Sequence, residues 1–261
     1  MDRNCEALDG NMKEDDFLNE LEVFRKEVEL CMRYFYAYRA INDVLGDDTK
    51  ALNIVKRTPE LWNTIKFALE ASFFNALSRI FDKPDTHPKT HNVGRLLQIA
   101  KSNINIFSAN ALETRKRKSS ANAHEWINEN MREIYVPNNN DFKRLEKYVE
   151  KYRNISKNYI IIRHNIFGHR QRLNFNAIHG LYSRTNFTEI ERLLVFLKRL
   201  HDSLLSLFHD GRKPLLRPMR FSIKTIRKKP DYYTQLVHEI IINQTQSFFD
   251  LLSLIPDSHL T

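Results

Sequence analysis

The stretch "DFKRLEKYVEKYRNISKNYIII" (Asp141–Ile162) decides the fold, because its apolar residues recur at helical spacing. On a wheel of about 100° per residue centred on Tyr152, Leu145, Tyr148, Val149, Ile155 and Tyr159 lie within about 60° of that centre, so this face is expected to be buried. The preceding "PNNND" offers Asn140 or Asp141 as the helix cap. Continued past Ile162, the same wheel puts Arg163 about 20° from the centre of the stripe, with Ile166 following on it. An arginine so placed points toward the interior. There it must snorkel, pair with a carboxylate, or line a cleft open to an anion, because a buried guanidinium without an anion is costly.

The helix runs into "RHNIFGHR" (Arg163–Arg170), which sets His169 six positions after Arg163. In a regular helix His169 would stand about 120° around from Arg163 and about 9 Å further along. Gly168 allows a break or a left-handed backbone that would return His169 toward the arginine. Alternatively, two copies of the helix could meet about a two-fold axis, each giving one arginine and one histidine to a shared cleft.

Helical stripes extend outward from this segment. Phe17, Leu21, Phe24, Val28, Cys31, Phe35, Tyr38, Ile41 and Leu45 mark a helix from about Glu14 to Leu45, with Gly46 as its C-terminal cap. A second opens at Thr58 as cap and Pro59 in the first turn, and runs to Phe81. "HNVGRLLQIAKS" predicts a short helix, whereas "NINIFSANALETRKRKSSANAHEWI" is weakly patterned and reads as a mobile excursion. Another helix starts at Thr188 as cap and reaches Phe208, with His201 and His209 read as surface residues. "GRKPLLRPMRFSIKTIRKKP" carries three prolines and eight basic residues, with a brief alternation at Phe221, Ile223 and Thr225 that suits a short strand. A last helix spans about Asp231 to Leu254 and packs on the bundle or on a partner. The domain reading is therefore a helical domain over 1–211, then a basic connector and C-terminal helix over 212–261.

Composition agrees with an all-α chain: 261 residues, 42% of them hydrophobic, with only 6 glycines and 8 prolines. The 41 lysines and arginines against 32 acidic residues give a net charge of +9, which favours polyanionic partners, nucleic acid among them. No segment has the roughly 18 uninterrupted apolar residues of a membrane span. "MDRNCEALDG" is acidic and polar where a secretory signal needs a basic start and an apolar core, so the cytoplasm is the expected compartment. Cys5 and Cys31 form no spacing motif. His87 and His91 in "HPKTH" have no cysteine or carboxylate constellation, so a solvated loop is expected there, with no metal and no cofactor.

An arginine, a polar residue, and a histidine a few positions on, near the end of a long helix in a small all-helical domain, resemble the Rx4-6H signature of the HEPN superfamily. Here it reads Arg163, His164, Asn165, Ile166, Phe167, Gly168, His169. "ALSRIFDKPDTHPKTHNVGRLLQIA" (residues 76–100), a helix ending in Arg79-x-x-Asp82 before a leucine-rich helix, is similar to the abortive-infection, AbiU2-like branch. The resemblance covers about Leu21 to Leu207. It implies an antiparallel helical bundle of the HEPN type with a C-terminal helical extension. It also implies a homodimer whose paired motifs form a metal-independent endoribonuclease, commonly a toxin or phage-defence effector met by an antitoxin or defence-system partner.

By that resemblance Arg163 holds the scissile phosphate and His169 is the general acid or base, with His164 filling the polar position and Asn165 helping to orient the phosphate. Arg79 and Asp82 read as a local ion pair or as support for the cleft. Arg115, Lys116, Arg117, Lys118, Arg170 and Arg172 are weaker candidates for contacts to RNA phosphates. Gln171 stands where a toxin subset carries a tyrosine modified by a partner nucleotidyltransferase, so regulation through that position is not expected. The alternative reading is a catalytically inactive HEPN-like module that binds nucleotide or RNA, or serves helical interaction.

Overall fold

Side-chain caps mark where several of the helices begin. The computed structural model describes residues 3–82, 90–119, 127, 131–168, 180, 185–216 and 237–254. Among them the chain is all-α, in the order α1 (Arg3–Asp47), α2 (Thr49–Arg57), α3 (Pro59–Phe81), α4 (Val93–Ser102), α5 (Ala109–Ser119), α6 (Asn139–Ile162), α7 (Phe187–Asp210) and α8 (Val237–Ser253). Short 3₁₀ turns stand at Ile104–Phe107 and Met131–Glu133, and a π turn, Arg163–Gly168, continues α6. The alternation at Phe221, Ile223 and Thr225 lies outside the described residues.

Several helix ends differ from the sequence expectation, for one physical reason: a cap must sit where its oxygen reaches the second or third helical N–H. Gly46 is not a cap, since α1 continues to Asp47. Asp48 then accepts from the N–H groups of Lys50 (2.8 Å) and Ala51 (3.3 Å) and starts α2. Thr58 opens α3 as expected, directly before Pro59 and with its carbonyl accepting Trp62 N–H at 3.3 Å, but its hydroxyl does not cap that helix: it donates back to the Ile54 carbonyl at 3.4 Å and closes α2. For α6 the cap is Asn138, not Asn140 or Asp141. Its carbonyl oxygen accepts from Asn140 N–H (2.8 Å) while the Asp141 carboxylate accepts from Asn138 N–H (2.9 Å), a reciprocal capping box. Asn186, not Thr188, caps α7, accepting from Thr188 N–H at 2.9 Å.

The chain forms two compact units. The first comprises residues 1–26, 79–157 and 189–219. Its core gathers Phe17, Phe107, Phe142 and Phe208, with ring centroids of Phe17 at 5.2 Å from Phe107 and 5.4 Å from Phe208. The segment read as a mobile excursion is instead helical through Ser119. It is held by buried Ile106, Phe107 and Leu112 and by Arg115, whose inward guanidinium the sequence makes look like solvated charge. His201 is buried, contrary to the surface reading, with Nδ1 2.9 Å from the Asp202 carboxylate. Gly211 ends α7 at a φ of +62°, and its N–H reaches the Leu207 carbonyl while Arg212 N–H reaches that of Ser206. The positive φ favours glycine, and a Cβ there would in addition press on Leu112 Cδ2 at 2.8 Å, which would have to shift. The Gly211 carbonyl accepts Tyr135 N–H at 2.7 Å, and the Tyr135 hydroxyl donates to Asp141 at 2.6 Å. Lost hydration, then the hydrogen bond and charge of Asp141, push that hydroxyl up to about 12.

The second unit comprises residues 27–78, 158–188 and 220–261. The pairs Cys31–Phe73 and Tyr38–Lys66 run in opposite directions along α1 and α3, as do Arg163–Asn75 and Phe167–Phe67 along the α6 extension and α3. These helices are therefore antiparallel neighbours. A second cluster joins Ile41 and Val44 of α1, Ala51 of α2, Trp62 of α3 and Phe249 of α8, with Trp62 and Phe249 stacked at 5.1 Å.

Candidate functional site

The buried stripe of α6 delivers the candidate arginine. Asp141, Phe142, Leu145, Val149, Ser156, Tyr159 and Ile162 are the buried positions, whereas of the residues placed on the stripe by the wheel Tyr152 and Ile155 are half-buried and Tyr148, 38% exposed, lies at its edge. Arg163 follows this stripe and is partly buried. From it to Gly168 the backbone winds as a π turn, a form in which i→i+5 bonds replace i→i+4 bonds and which recurs at functional sites.

Two side chains of that turn are fixed against α3. The Arg163 Nε–H donates to the Asn75 side-chain carbonyl at 3.2 Å. Four residues on, the Phe167 ring packs against Phe67 at 5.1 Å and Phe74 at 5.7 Å, and Phe74 in turn meets buried Tyr159 at 6.2 Å. Among the described residues no carboxylate lies within ion-pair distance of Arg163. Of the three fates open to a buried arginine, the carboxylate pair is thus not the one adopted among them. Asn75 escaped the sequence reading. Its signal was a lone carboxamide inside the apolar run "SFFNALSRIF", where a half-buried polar side chain requires a partner.

The remaining candidates scatter. Asn165 is half-buried in the π turn, and His164 belongs to the same turn. His169, Arg170 and Arg172 lie outside the described residues, as does His87. Arg79 is exposed in the last turn of α3, where its carbonyl accepts Asp82 N–H at 3.4 Å. Lys116, Arg117 and Lys118 close α5 instead of forming a loop, and Arg117 is engaged with Glu113 at 2.6 Å. Arg115 does not offer its guanidinium to a ligand. Nη1 donates to Glu14 (2.5 Å) and the Ile106 carbonyl (2.8 Å), Nη2 donates to the Phe208 carbonyl (2.8 Å), and the group lies 3.9 Å over the Phe208 ring. Desolvation pushes its pKa down, against the pull of Glu14. His91 is tied to Glu20 at 2.8 Å, and no group of metal-ligating side chains forms among the described residues.

An all-α chain of this organisation is a helical bundle of the HEPN type. More narrowly, the chain belongs to the AbiU2 family of HEPN proteins, whose model matches residues 14–225. No curated protein and no solved structure matches it. No described helix is long and apolar enough to cross a membrane.

Proposed function

We propose that this protein is a metal-independent endoribonuclease of the HEPN type, working as a cytoplasmic homodimer in toxin or phage-defence function. The observation that supports the reading best is the partly buried Arg163 guanidinium, held by a neutral carboxamide, at the start of a π turn that leads to His169. In-line cleavage of RNA removes the 2′-hydroxyl proton, joins O2′ to phosphorus, and expels the 5′-oxygen with a proton. It needs a group titrating near neutrality and a fixed cation for the charge that builds on the phosphorane. His169 supplies the first and Arg163 the second, with His164 and Asn165 supporting the phosphate. The family's link to abortive infection supports the defence role, and an antitoxin or defence-system protein is the expected regulator.

The test incubates wild type, Arg163→Ala and His169→Ala with total RNA in EDTA. Wild type is expected to cleave, and each variant to lose about 100-fold or more of the rate, the usual cost of removing one charge-stabilising donor or proton-transfer group. Cleavage retained in both variants, or absent from wild type, overturns the reading. RNA binding without cleavage would instead favour the inactive HEPN-like binding module. Light scattering at micromolar concentration is expected to give twice the 31.1 kDa chain mass. A monomer there removes the shared cleft.

A further inference from the structure

Arginines of this protein that pack against its helices are repeatedly met by carboxylates. Arg25 pairs with Glu22, Arg39 with Asp43, Arg115 with Glu14 and Arg153 with Glu150. Arg163, placed by its helix among the buried positions, is met by the carboxamide of Asn75. The chemical difference is large. A carboxylate neutralises a guanidinium and occupies its fork, whereas a carboxamide oxygen accepts one N–H and leaves the positive charge in place.

Geometry agrees with that distinction. Asn75 takes the Nε–H, so among the described residues the terminal Nη1/Nη2 edge, the one suited to bidentate contact with a phosphate, has no hydrogen-bond partner. The Phe67, Phe74 and Phe167 rings anchor the same π turn on α3, which fixes the backbone from which Arg163 projects. Among the described residues the charged group is held by one neutral hydrogen bond on an anchored turn, an arrangement pre-organised for an anion that arrives from outside.

We propose that Asn75 is a positioning residue that holds Arg163 oriented and un-neutralised to receive a phosphodiester. The proposal rests on the reading of Arg163 as a phosphate-holding group. It makes a demand that a structural hydrogen bond does not. Asn75→Asp keeps the size and the acceptor, and as an ion pair it should hold Arg163 at least as firmly, yet it should abolish the site by compensating its charge.

The experiment measures binding of a fluorescein-labelled 2′-deoxy oligonucleotide by anisotropy across a salt series, together with thermal unfolding. Arg163→Ala is expected to weaken binding about 10-fold and to lower the salt slope by about one. Asn75→Asp should match it in both affinity and slope while its Tm stays at or above that of wild type. Asn75→Ala should weaken binding about 3-fold with the slope retained, since the charge remains but its aim is lost. Wild-type affinity in Asn75→Asp, or in Arg163→Ala, overturns the proposal. If Asn75→Asp does not fold, wild-type affinity in Asn75→Ala does the same. The probe lacks the 2′-hydroxyl and cannot be cleaved by in-line attack. This binding pattern without RNA cleavage therefore ends the endoribonuclease reading and keeps the role of Asn75, whereas cleavage without the pattern does the reverse.

Discussion

Arg115→Ala is expected to destabilise the protein by roughly 2–4 kcal/mol, somewhat below the cost of removing one partner from a fully buried ion pair. The guanidinium is 16% exposed and Glu14 is 20% exposed, so neither charge is well hydrated. Truncation leaves the Glu14 carboxylate without its closest cation and the carbonyls of Ile106 and Phe208 without the donors they now have. It also opens a void over the Phe208 ring, which belongs to the Phe17–Phe107–Phe142 cluster. For a chain of this size the loss corresponds to a fall in Tm of about 10 °C. The control is Arg117→Ala two residues away. Its pair with Glu113 is about half exposed, and its loss is expected to cost under about 1 kcal/mol. Equal melting temperatures for the two variants would show that Arg115 is not the staple of the first unit.

Phe249→Ala should cost a similar amount, roughly 3–5 kcal/mol, by emptying the centre of the second cluster. Phe249 is fully buried and stacks on Trp62, with Ile41, Val44 and Ala51 completing the contact. The affected helix, α8, lies beyond the residues matched by the family model, which end at 225. A helix outside the family's common extent thus supplies a core residue to the unit that carries Arg163. Hydrogen exchange is the discriminating measurement. Amides of α8 should lose protection in Phe249→Ala and keep it in Phe248→Ala, whose ring is 48% exposed. Unchanged protection in both would mean that α8 is held by something other than this ring.

Helical stripes made α1, α3, α6 and α7 legible from the sequence, because a buried face must repeat every three to four residues. What escaped were features set by contacts distant along the chain. In α5, Arg115 is held by a glutamate 101 positions before it, and no local pattern distinguishes it from its solvated neighbours. The caps of α6 and α7 lie two or three residues before the positions that the sequence suggests. Asn, Asp and Thr stand close together at those ends, and only the backbone path decides which oxygen reaches an N–H. At the candidate site the wheel found the inward turn of Arg163. It could not find Asn75, whose meaning comes from a hydrogen bond spanning 88 positions.

The π turn changes how the motif's length is to be understood. Such a turn holds one residue more than an α-helical turn, so the chain leaves Gly168 lagging by roughly one residue's rotation, about 100°, behind a helix that had stayed α. The count of residues between Arg163 and His169 is therefore an angular setting. In a relative with one residue fewer, and with an α turn in place of this one, the two changes would cancel and the chain would leave the turn in the same phase.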